Sequence, residues 1–429
     1  MKTILATAYA INPYKGSEDG TGWNYACQIA RYNQLVIITR KNNRADIEKY
    51  QAEHPEQKDL YERIQFLYFD WPQWTLFWKK GPLLSMIYYY FWQLNLAFWL
   101  KSKKLSFDIC HNLNFHSDWA PSFLWILNKP FVWGPVGHHN KIKREYLLPV
   151  YGWKELIKDR FLWVLKLAFW WIDPFLYIAK AKADKIICIN SEVPIKMRVS
   201  EEKVFRMPTV AAERNEQGSL PSLKFTVLSV GRFVPLKGFD LTINAFSSFY
   251  KSLTPDERVQ ARLVLIGNGP NLTTLKELIA NNQIEEAVSI IPWMPRAEVM
   301  DNYRKAAVFL FPSHEGAGML VPEALSYGLP VVCLDNEGPG ELIPKESTLR
   351  ANYTYYEATV SSLARRLNRL YSDKAFYERE RAKALAHFNK ELCWDAKGDY
   401  LAKLYEEVLE NRKATDINPQ FLKGLNSVQ

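Results

Sequence analysis

The chain has 429 residues, of which 48% are hydrophobic, and its formal net charge is +9. That length exceeds one ordinary hydrophobic core, so we predict two domains, and the apolar content excludes a largely disordered chain. The five cysteines lack C-x-x-C spacing, which argues against a disulfide framework and predicts buried, reduced thiols in a cytosolic protein.

Positive charge and tryptophan are concentrated in the first half of the chain. Residues 1–210 hold 29 Lys and Arg against 19 Asp and Glu, a net of +10, and 13 of the 15 tryptophans. This combination predicts contact with an anionic membrane surface or a lipid-phosphate acceptor. Nucleic acid is the competing interpretation of basic charge, and we do not predict it, because the sequence carries no nucleic-acid-binding motif.

The chain opens with a predicted strand over 2–9 rather than a signal peptide, because its apolar run is short. A loop that contains Gly16 and Gly20 follows, then a helix over 23–31 and a strand over 35–39. This order is typical of the start of a doubly wound α/β domain. An ordinary connection would explain the glycines of the loop equally well.

Two aromatic segments flanked by lysines stand out, at 83–100 and 153–172. The first is interrupted by three polar residues, which makes it too short and too polar for a membrane span. Each segment is either a core helix with an aromatic exposed face or an interfacial helix lying in the plane of a bilayer. We expect Pro174 to kink or end the second helix.

Two histidines follow a predicted strand over 107–110. His111 and His116 lie at its carboxyl end, where doubly wound domains place ligands. A single histidine in such a place is more often structural than catalytic. A helix over 119–127 and a strand over 131–137 are predicted next.

Basic residues come after that strand. His138, His139 and the residues 141–144 are candidates for contact with an acidic acceptor. A polar stretch with glycine and proline marks the boundary between the domains. The predicted ranges are 1–210 for the first domain, 211–222 for the linker, 223–393 for the second domain and 413–429 for a loose polar tail.

The second domain is predicted to begin with a strand over 225–230, followed by Arg232, Lys237 and a helix over 240–250. Two cations between a strand end and a helix start suit a diphosphate, although an ordinary basic loop has the same composition.

Two more predicted strands end in short loops. Gly267 and Gly269 follow a strand over 262–266, and Trp293 follows a strand over 289–291.

The most informative stretch runs from a strand over 308–311 into a loop and a short helix. Glu315 lies in the loop, whereas Pro322 and Glu323 lie in the first turn of the helix, which Gly328 ends. A second strand, over 331–334, follows the helix.

The chemistry of this stretch fits a nucleotide-sugar. The backbone N–H groups of residues 316–320 have no intrahelical partners, so they suit a phosphate as ligand. The carboxylates of Glu315 and Glu323 suit the hydroxyl groups of a sugar and a ribose. A nucleotide-sugar supplies the ribose, the diphosphate and the sugar together.

Residues 314–332 form the frame H-E-G-x-G-x-x-x-P-E-A-L-x-x-G-x-P-V-V. It closely resembles the E-x7-E signature of retaining GT-B glycosyltransferases, in particular family 4. The G-R-x4-K-G element at 231–238 and the P-x-x-G-S-E-x-G-x-G-W loop at 13–23 resemble elements of the same family. The resemblance implies a GT-B fold: two Rossmann-like, doubly wound α/β domains that face each other across a cleft. It also implies that a C-terminal helix near 394–412 returns to the first domain.

The resemblance implies transfer of a sugar, with retention, from a nucleotide-diphospho-sugar to a glycan or lipid-linked acceptor, in cell-surface polysaccharide or glycolipid synthesis. Glu315 would hold the sugar, and Arg232 and Lys237 would neutralise the leaving diphosphate. His116 would lie near the transferred sugar, with His111 as the alternative, because the family's H-x-H is H-x4-H here. The implied donor-binding residues are Glu323 at the ribose, Gly316, Gly318, Met319, Leu320, Gly267, Gly269, Gly16, Gly20 and Trp293.

The resemblance implies neither a metal nor a cofactor, because cationic side chains take the place of a metal and the nucleotide-sugar is a substrate. We expect a cytoplasmic protein, peripheral on the inner face of the cytoplasmic membrane where its acceptor is lipid-linked. A nucleotide-sugar epimerase on the same fold and a non-catalytic, membrane-bound sugar-binding scaffold are the alternatives. The sequence predicts no oligomeric state.

Overall fold

The computed structural model describes residues 1–77, 79–113, 117–215, 218, 220 and 224–425. The chain divides into two compact units. The first contains Met1–His138, Lys166–Thr209 and the chain from Trp394 onward, and the second contains His139–Leu165 and Val210–Cys393. The segment His139–Leu165 therefore groups with the second unit, although it lies within the range predicted for the first domain.

The first unit is built on a seven-stranded sheet in which every pair of neighbours is parallel. Its strands are β1 Thr3–Thr7, β2 Gln34–Thr39, β3 Ile64–Tyr68, β4 Ile109–Asn112, β5 Phe131–Val136, β6 Lys185–Cys188 and β7 Val204–Arg206. Their order is β3-β2-β1-β4-β5-β6-β7, so the direction of winding reverses between β1 and β4. This reversal is the mark of a doubly wound domain.

Helices cover that sheet and bury its apolar strands. They are α1 Ser17–Tyr32, α2 Arg44–Glu53, α3 Lys58–Tyr61, α4 Gly81–Ser102, α6 Pro174–Lys182, α7 Glu192–Met197 and the last part of α5 Arg144–Ile172, from Lys166 onward. The earlier part of α5 belongs to the second unit. The core includes Trp92 of α4 and Trp133 of β5, both almost completely buried.

The second unit holds a six-stranded parallel sheet in the order β10-β9-β8-β11-β12-β13. Its strands are β8 Phe225–Val230, β9 Ala261–Ile266, β10 Val288–Ile291, β11 Val308–Phe311, β12 Val331–Leu334 and β13 Arg350–Ala351. Here the winding reverses between β8 and β11. The two sheets confirm the predicted pair of Rossmann-like α/β domains.

The remaining helices complete the chain. They are α8 Phe239–Ser252, α9 Pro255–Arg258, α10 Leu272–Asn281, α11 Arg296–Lys305, α12 Val321–Ser326, α13 Pro339–Leu342, α14 Tyr356–Ser372, α15 Lys374–His387 and α16 Trp394–Leu425. Helix α16 lies on α1 in the first unit, where Asp395 pairs with Arg31. It extends to Leu425, beyond the end predicted near 412.

Two local predictions in the first unit were wrong. Helix α1 begins at Ser17, so Gly20 lies inside the helix rather than in a loop, and acidic residues in the first turn favour this early start. The predicted helix over 119–127 is only a 3-10 turn, Leu124–Leu127. Pro121 explains the loss, because the residue before a proline avoids helical geometry.

The second aromatic helix is longer than predicted and is broken. Helix α5 contains Gly152 in a non-helical conformation, with φ 75° and ψ −177°, and it ends just before Asp173. The Asp173 carboxylate accepts a hydrogen bond from the Phe175 N–H, and Pro174 opens α6, as expected for a helix start. Within the described residues, no one helix has both the length and the apolarity to cross a bilayer. Helices α5 and α6 meet both criteria only jointly, with a 63° bend between them.

Candidate functional site

The candidate site lies at the carboxyl edge of the second sheet. Strands β8 and β11 are neighbours at the point where the winding reverses, and doubly wound sheets bind ligands in the crevice beside such a point. The loop after β8 carries Arg232 and Lys237, and the loop after β11 carries Glu315. The topology therefore places the predicted cationic turn beside the predicted carboxylate.

The loop after β9 supports the cationic turn from one side. The Phe233 N–H donates to the Asn268 carbonyl at 2.9 Å, and the Asn271 N–H donates to the Phe233 carbonyl at 3.2 Å. A Cβ on Gly267 would collide with the Gly231 carbonyl, and one on Gly269 would collide with the backbone of Phe233. These two glycines are needed for the close approach of the two loops, which shapes the turn.

The loop after β11 supports the same turn from the other side. The Leu236 carbonyl accepts hydrogen bonds from the His314 N–H at 2.8 Å and from the Ser313 hydroxyl at 3.1 Å. Gly238 adopts a left-handed conformation, with φ 66°, against the carbonyl of Pro312, which a side chain would strike. The two loops are thus joined by direct backbone contact.

This contact brings Lys237 and Glu315 together. The Lys237 ammonium forms an ion pair with the Glu315 carboxylate, and the two side chains are only 19% and 13% exposed. The ammonium also lies 5.2 Å from the centre of the Phe311 ring. Two residues that the sequence selected separately therefore form one partly buried pair, while the side chain of Arg232 is exposed in the same turn.

A third loop, after β12, holds the Glu315 loop in place. The Asn336 amide donates to the Ser313 carbonyl at 2.8 Å. Gly338 lies directly on the Glu315 carbonyl, with no room for a Cβ between them. Gly316, Met319 and Leu320 are half-buried in the supported loop, and Gly318 is buried.

Glu323 lies in the first turn of α12, as predicted, with its side chain 10% exposed. The Arg296 guanidinium contacts its carboxylate at 2.8 Å. Burial raises the pKa of Glu323, and the charge of Arg296 opposes that rise. Sequence reasoning missed Arg296, although its place just after Trp293 and Pro295, at the start of α11, was a usable signal.

The helix that follows the Glu315 loop is short, as predicted. Helix α12 has six residues, whereas α8, which begins just after Lys237, has 14. A short helix offers a weak dipole, so the charge of Lys237 is the larger electrostatic feature of this edge. Trp293 follows β10 with 77% of its surface exposed.

His314 is a further buried histidine that sequence reasoning left out. Its Nδ1 lies 3.0 Å from the Tyr353 hydroxyl, and burial lowers its pKa to about 3. A neutral imidazole therefore stands immediately before Glu315 in the chain.

The first unit holds the other predicted site residues. His111 lies in β4, fully buried, with Nδ1 2.7 Å from the Tyr405 hydroxyl and Nε2 2.7 Å from the Gly134 carbonyl. Burial lowers its pKa to about 4, so His111 is a neutral side chain with both ring nitrogens engaged in the fold. Gly16 stands at the N-cap of α1, and His116 lies outside the described residues.

The basic segment predicted to meet an acidic acceptor lies mostly on the second unit. The Lys143 ammonium donates to the carbonyls of Tyr353 at 2.9 Å and Thr354 at 3.0 Å. The Asn140 N–H donates to the Glu337 carboxylate at 2.7 Å. His138, by contrast, is buried in the first unit with Nδ1 2.6 Å from the Asp118 carboxylate. Across the described ranges, no group of three His, Cys, Asp or Glu side chains is arranged to hold a metal ion.

Replacing Arg296 by Ala tests the Glu323 pair. The variant leaves a buried carboxylate whose pKa then rises further, and a raised carboxyl pKa costs stability as pH rises through it. We expect a loss of roughly 1 kcal/mol in the free energy of unfolding near neutral pH, modest because Arg296 is largely exposed. Urea unfolding at pH 5, 7 and 8 should show a loss that grows with pH. The double variant Arg296→Ala/Glu323→Gln should lose this pH dependence, and an equal loss at every pH in the single variant would contradict the pairing.

Residues 211–387 match the family model described as glycosyl transferases group 1. Over 161 residues the chain is 34% identical to the D-inositol 3-phosphate glycosyltransferase of Acidothermus cellulolyticus. That match covers 35% of this chain and 36% of the relative, so the chain spans about a third of the relative's length.

Two solved structures share the fold of the chain. A glycosyltransferase from Rickettsia africae aligns with a TM-score of 0.61 and 16% identity, over 96% of this chain and 99% of that one. An Anabaena protein solved in complex with UDP and glucose aligns with a TM-score of 0.57 and 14% identity, over 95% of this chain and all of the other. Residues 211–387, within the second unit, therefore resemble the group 1 glycosyl transferases, and the chain has the GT-B fold of these solved structures.

Proposed function

We propose that the protein is a retaining glycosyltransferase of family 4, which transfers a sugar from a nucleotide-diphospho-sugar to a glycan or lipid-linked acceptor. The observation that carries the proposal is the Lys237–Glu315 ion pair at the carboxyl edge of the second sheet. The match of residues 211–387 to the family model supports the class of reaction, and the UDP and glucose bound to the Anabaena protein support a donor of this chemistry.

The opposite charges of Lys237 and Glu315 determine the role that we assign to each. In the reaction, the bond from the anomeric carbon to the diphosphate oxygen breaks, and a bond to the acceptor oxygen forms on the same face. The leaving phosphate accepts the acceptor's proton. Lys237 and Arg232 stabilise the negative charge that develops on the diphosphate, which is where a fixed cation accelerates such a step. Glu315 accepts hydrogen bonds from hydroxyl groups of the sugar.

The second carboxylate is assigned to the ribose. Glu323 is held beside Arg296, which favours its charged, hydrogen-bond-accepting form. An ionised carboxylate accepts hydrogen bonds from both hydroxyl groups of a ribose. The exposed Trp293 on the same edge offers an aromatic face to the base.

The acceptor is proposed to lie at a membrane surface. Beyond Gly152, helix α5 carries an exposed apolar stripe. Its spacing places four side chains on one face of the helix: Trp153, Ile157, Phe161 and Val164. The lysines at 154 and 158 flank it and are exposed. Interfacial helices combine these two features, which supports the proposed place on the inner face of the cytoplasmic membrane.

Helix α4 fits this role less well than α5. Its residues Tyr88, Trp92 and Leu96 are in the core of the first unit. In its described part the exposed large apolar residues are seven positions apart, which is sparser than on α5: Leu84, Phe91 and Phe98. Of the two segments with interfacial composition, the second is therefore the one that we assign to the membrane.

Lys237→Ala should reduce the rate of sugar transfer by roughly 10²-fold or more, because the leaving diphosphate loses a charge-assisted contact. The measurement is release of the nucleoside diphosphate under saturating donor. Lys251→Ala is the matched control, since that lysine is exposed at the opposite end of α8. A folded Lys237→Ala variant with near-normal activity would remove the basis of the proposal.

Activity should survive an excess of EDTA, because the proposed diphosphate contacts are side chains rather than a divalent cation. The same assay is run with EDTA alone and after addition of Mg²⁺ or Mn²⁺. Complete loss in EDTA that either metal restores would contradict metal independence.

The membrane assignment predicts co-sedimentation with phosphatidylserine-containing vesicles that weakens as salt increases. Lys154→Gln/Lys158→Gln should weaken binding roughly fivefold per lysine at low salt, from about 1 kcal/mol for each basic residue. Lys251→Gln/Lys276→Gln removes the same charge from exposed sites on α8 and α10 and should bind as the wild type does. Equal affinity for anionic and neutral vesicles, or equal loss in both double variants, would exclude the stripe as the docking face.

A further inference from the structure

We propose that Tyr151 is a positioning residue of the donor site, because its hydroxyl fixes the first turn of α8, and with it Lys237, through the buried carboxylate of Asp240. The inference rests on the proposed function for the role of Lys237. It assigns a part in that site to the segment His139–Leu165, which the sequence connects to β5 of the first unit.

Asp240 is held by two tyrosines from different elements. It lies in the first turn of α8 and is 1% exposed. The Tyr151 hydroxyl donates to its Oδ1 at 2.8 Å, and the Tyr356 hydroxyl donates to its Oδ2 at 3.0 Å. Each carboxylate oxygen has a fixed donor, so the side chain cannot rotate without losing a buried hydrogen bond.

The helix is held at a second point by the same group. The Asn244 amide donates to the Tyr356 hydroxyl at 2.9 Å, one turn further along α8. Tyr356 is the first residue of α14, and α14 packs along α8. The contact from Tyr151 to Asp240 thus comes from outside this helix pair.

Lys237 follows any movement of that first turn. It lies three residues before Asp240, and Gly238 between them is pressed against Pro312. The Leu236 carbonyl also accepts hydrogen bonds from Ser313 and His314, which precede Glu315. A shift of the turn would therefore change the distance between Lys237 and Glu315, and small displacements of a catalytic group are costly in rate.

Tyr151 occupies a defined place in its segment. It is the last residue before Gly152, whose left-handed φ of 75° breaks α5 and redirects the chain. The segment is tied down by Tyr146, whose hydroxyl lies 2.7 Å from the Thr359 hydroxyl. A hydrogen bond within the segment adds to its order, because the Arg160 guanidinium donates to the Ile142 carbonyl at 2.8 Å. Tyr151 is therefore presented to α8 by an ordered support.

The pKa of Asp240 allows the role of Tyr151 to be tested by the dependence of activity on pH. Burial raises the pKa of Asp240 to about 6, and the hydrogen bonds from Tyr151 and Tyr356 oppose the rise. The titratable groups that act on it are Tyr151 and Tyr146 from α5 and Tyr356 from α14. The Asp240 carboxylate is ionised above that pH. Removing the Tyr151 hydroxyl should raise the pKa of Asp240 further, so protonation should weaken its hold on α8 at a pH closer to neutral.

Tyr151→Phe tests the inference with a matched control. We expect kcat at pH 7 to fall about tenfold and the acidic limb of the pH–rate profile to move upward by at least half a unit. Tyr356→Phe should move the limb in the same direction, and Asp240→Asn should abolish it. Tyr355→Phe removes an exposed hydroxyl from the residue next to Tyr356, so its kcat and pH limb should match the wild type. Wild-type behaviour of Tyr151→Phe, or equal effects of Tyr151→Phe and Tyr355→Phe, would overturn the inference.

Amide hydrogen exchange separates this inference from the proposed function. If Tyr151 anchors α8, residues 237–243 exchange faster in Tyr151→Phe than in the wild type and Tyr355→Phe, whether or not the protein transfers a sugar. Unchanged exchange there would overturn the positioning role, whereas absence of transferase activity with altered exchange would refute the proposed function alone.

Discussion

The ion pair of Lys237 and Glu315 is the constraint on which the second unit's site depends. Both side chains are mostly buried, and a lone charge at such depth is costly unless an opposite charge meets it. The loops after β8, β9, β11 and β12 are fitted together by backbone hydrogen bonds and by glycines that leave no room for a Cβ. Their joint geometry brings the two charges into contact at the point where the winding of the sheet reverses.

The pair also explains how a charged donor could enter without leaving a buried charge alone. A nucleotide-diphospho-sugar brings phosphate oxygens for Lys237 and hydroxyl groups for Glu315, so each partner exchanges one hydrogen-bonded contact for another. The Glu323–Arg296 pair is similar: a mostly buried carboxylate, at the next helix along the edge, has an opposite charge beside it. Binding then depends on how well the loops are held in place, which gives the supports behind them, including Asp240, an effect on the chemistry.

The sequence was sufficient where local signals and tertiary structure agree. Strand β8 and strand β11 have the predicted bounds, because each is an apolar run ended by a turn, and Glu323 lies in the helical turn that Pro322 marks. Prediction failed where tertiary packing overrides the local pattern. Gly20 is helical because acidic residues start α1 early, and the ion partner of Glu323 comes from a helix with no periodic signal toward it. The grouping of His139–Leu165 with the second unit rests on buried tyrosine contacts that no spacing in the sequence encodes.

The most direct test of the central claim is a thermal unfolding screen against nucleotide-diphospho-sugars, nucleoside diphosphates and the matching monophosphates. A ligand held by the native state stabilises it by about 2.7 kcal/mol at a hundred times its Kd. The account predicts that at least one diphospho-sugar raises the unfolding midpoint, and that its monophosphate raises it far less, because Lys237 is proposed to bind the diphosphate. Equal stabilisation by monophosphates and diphosphates, or none by any diphospho-sugar, would contradict it.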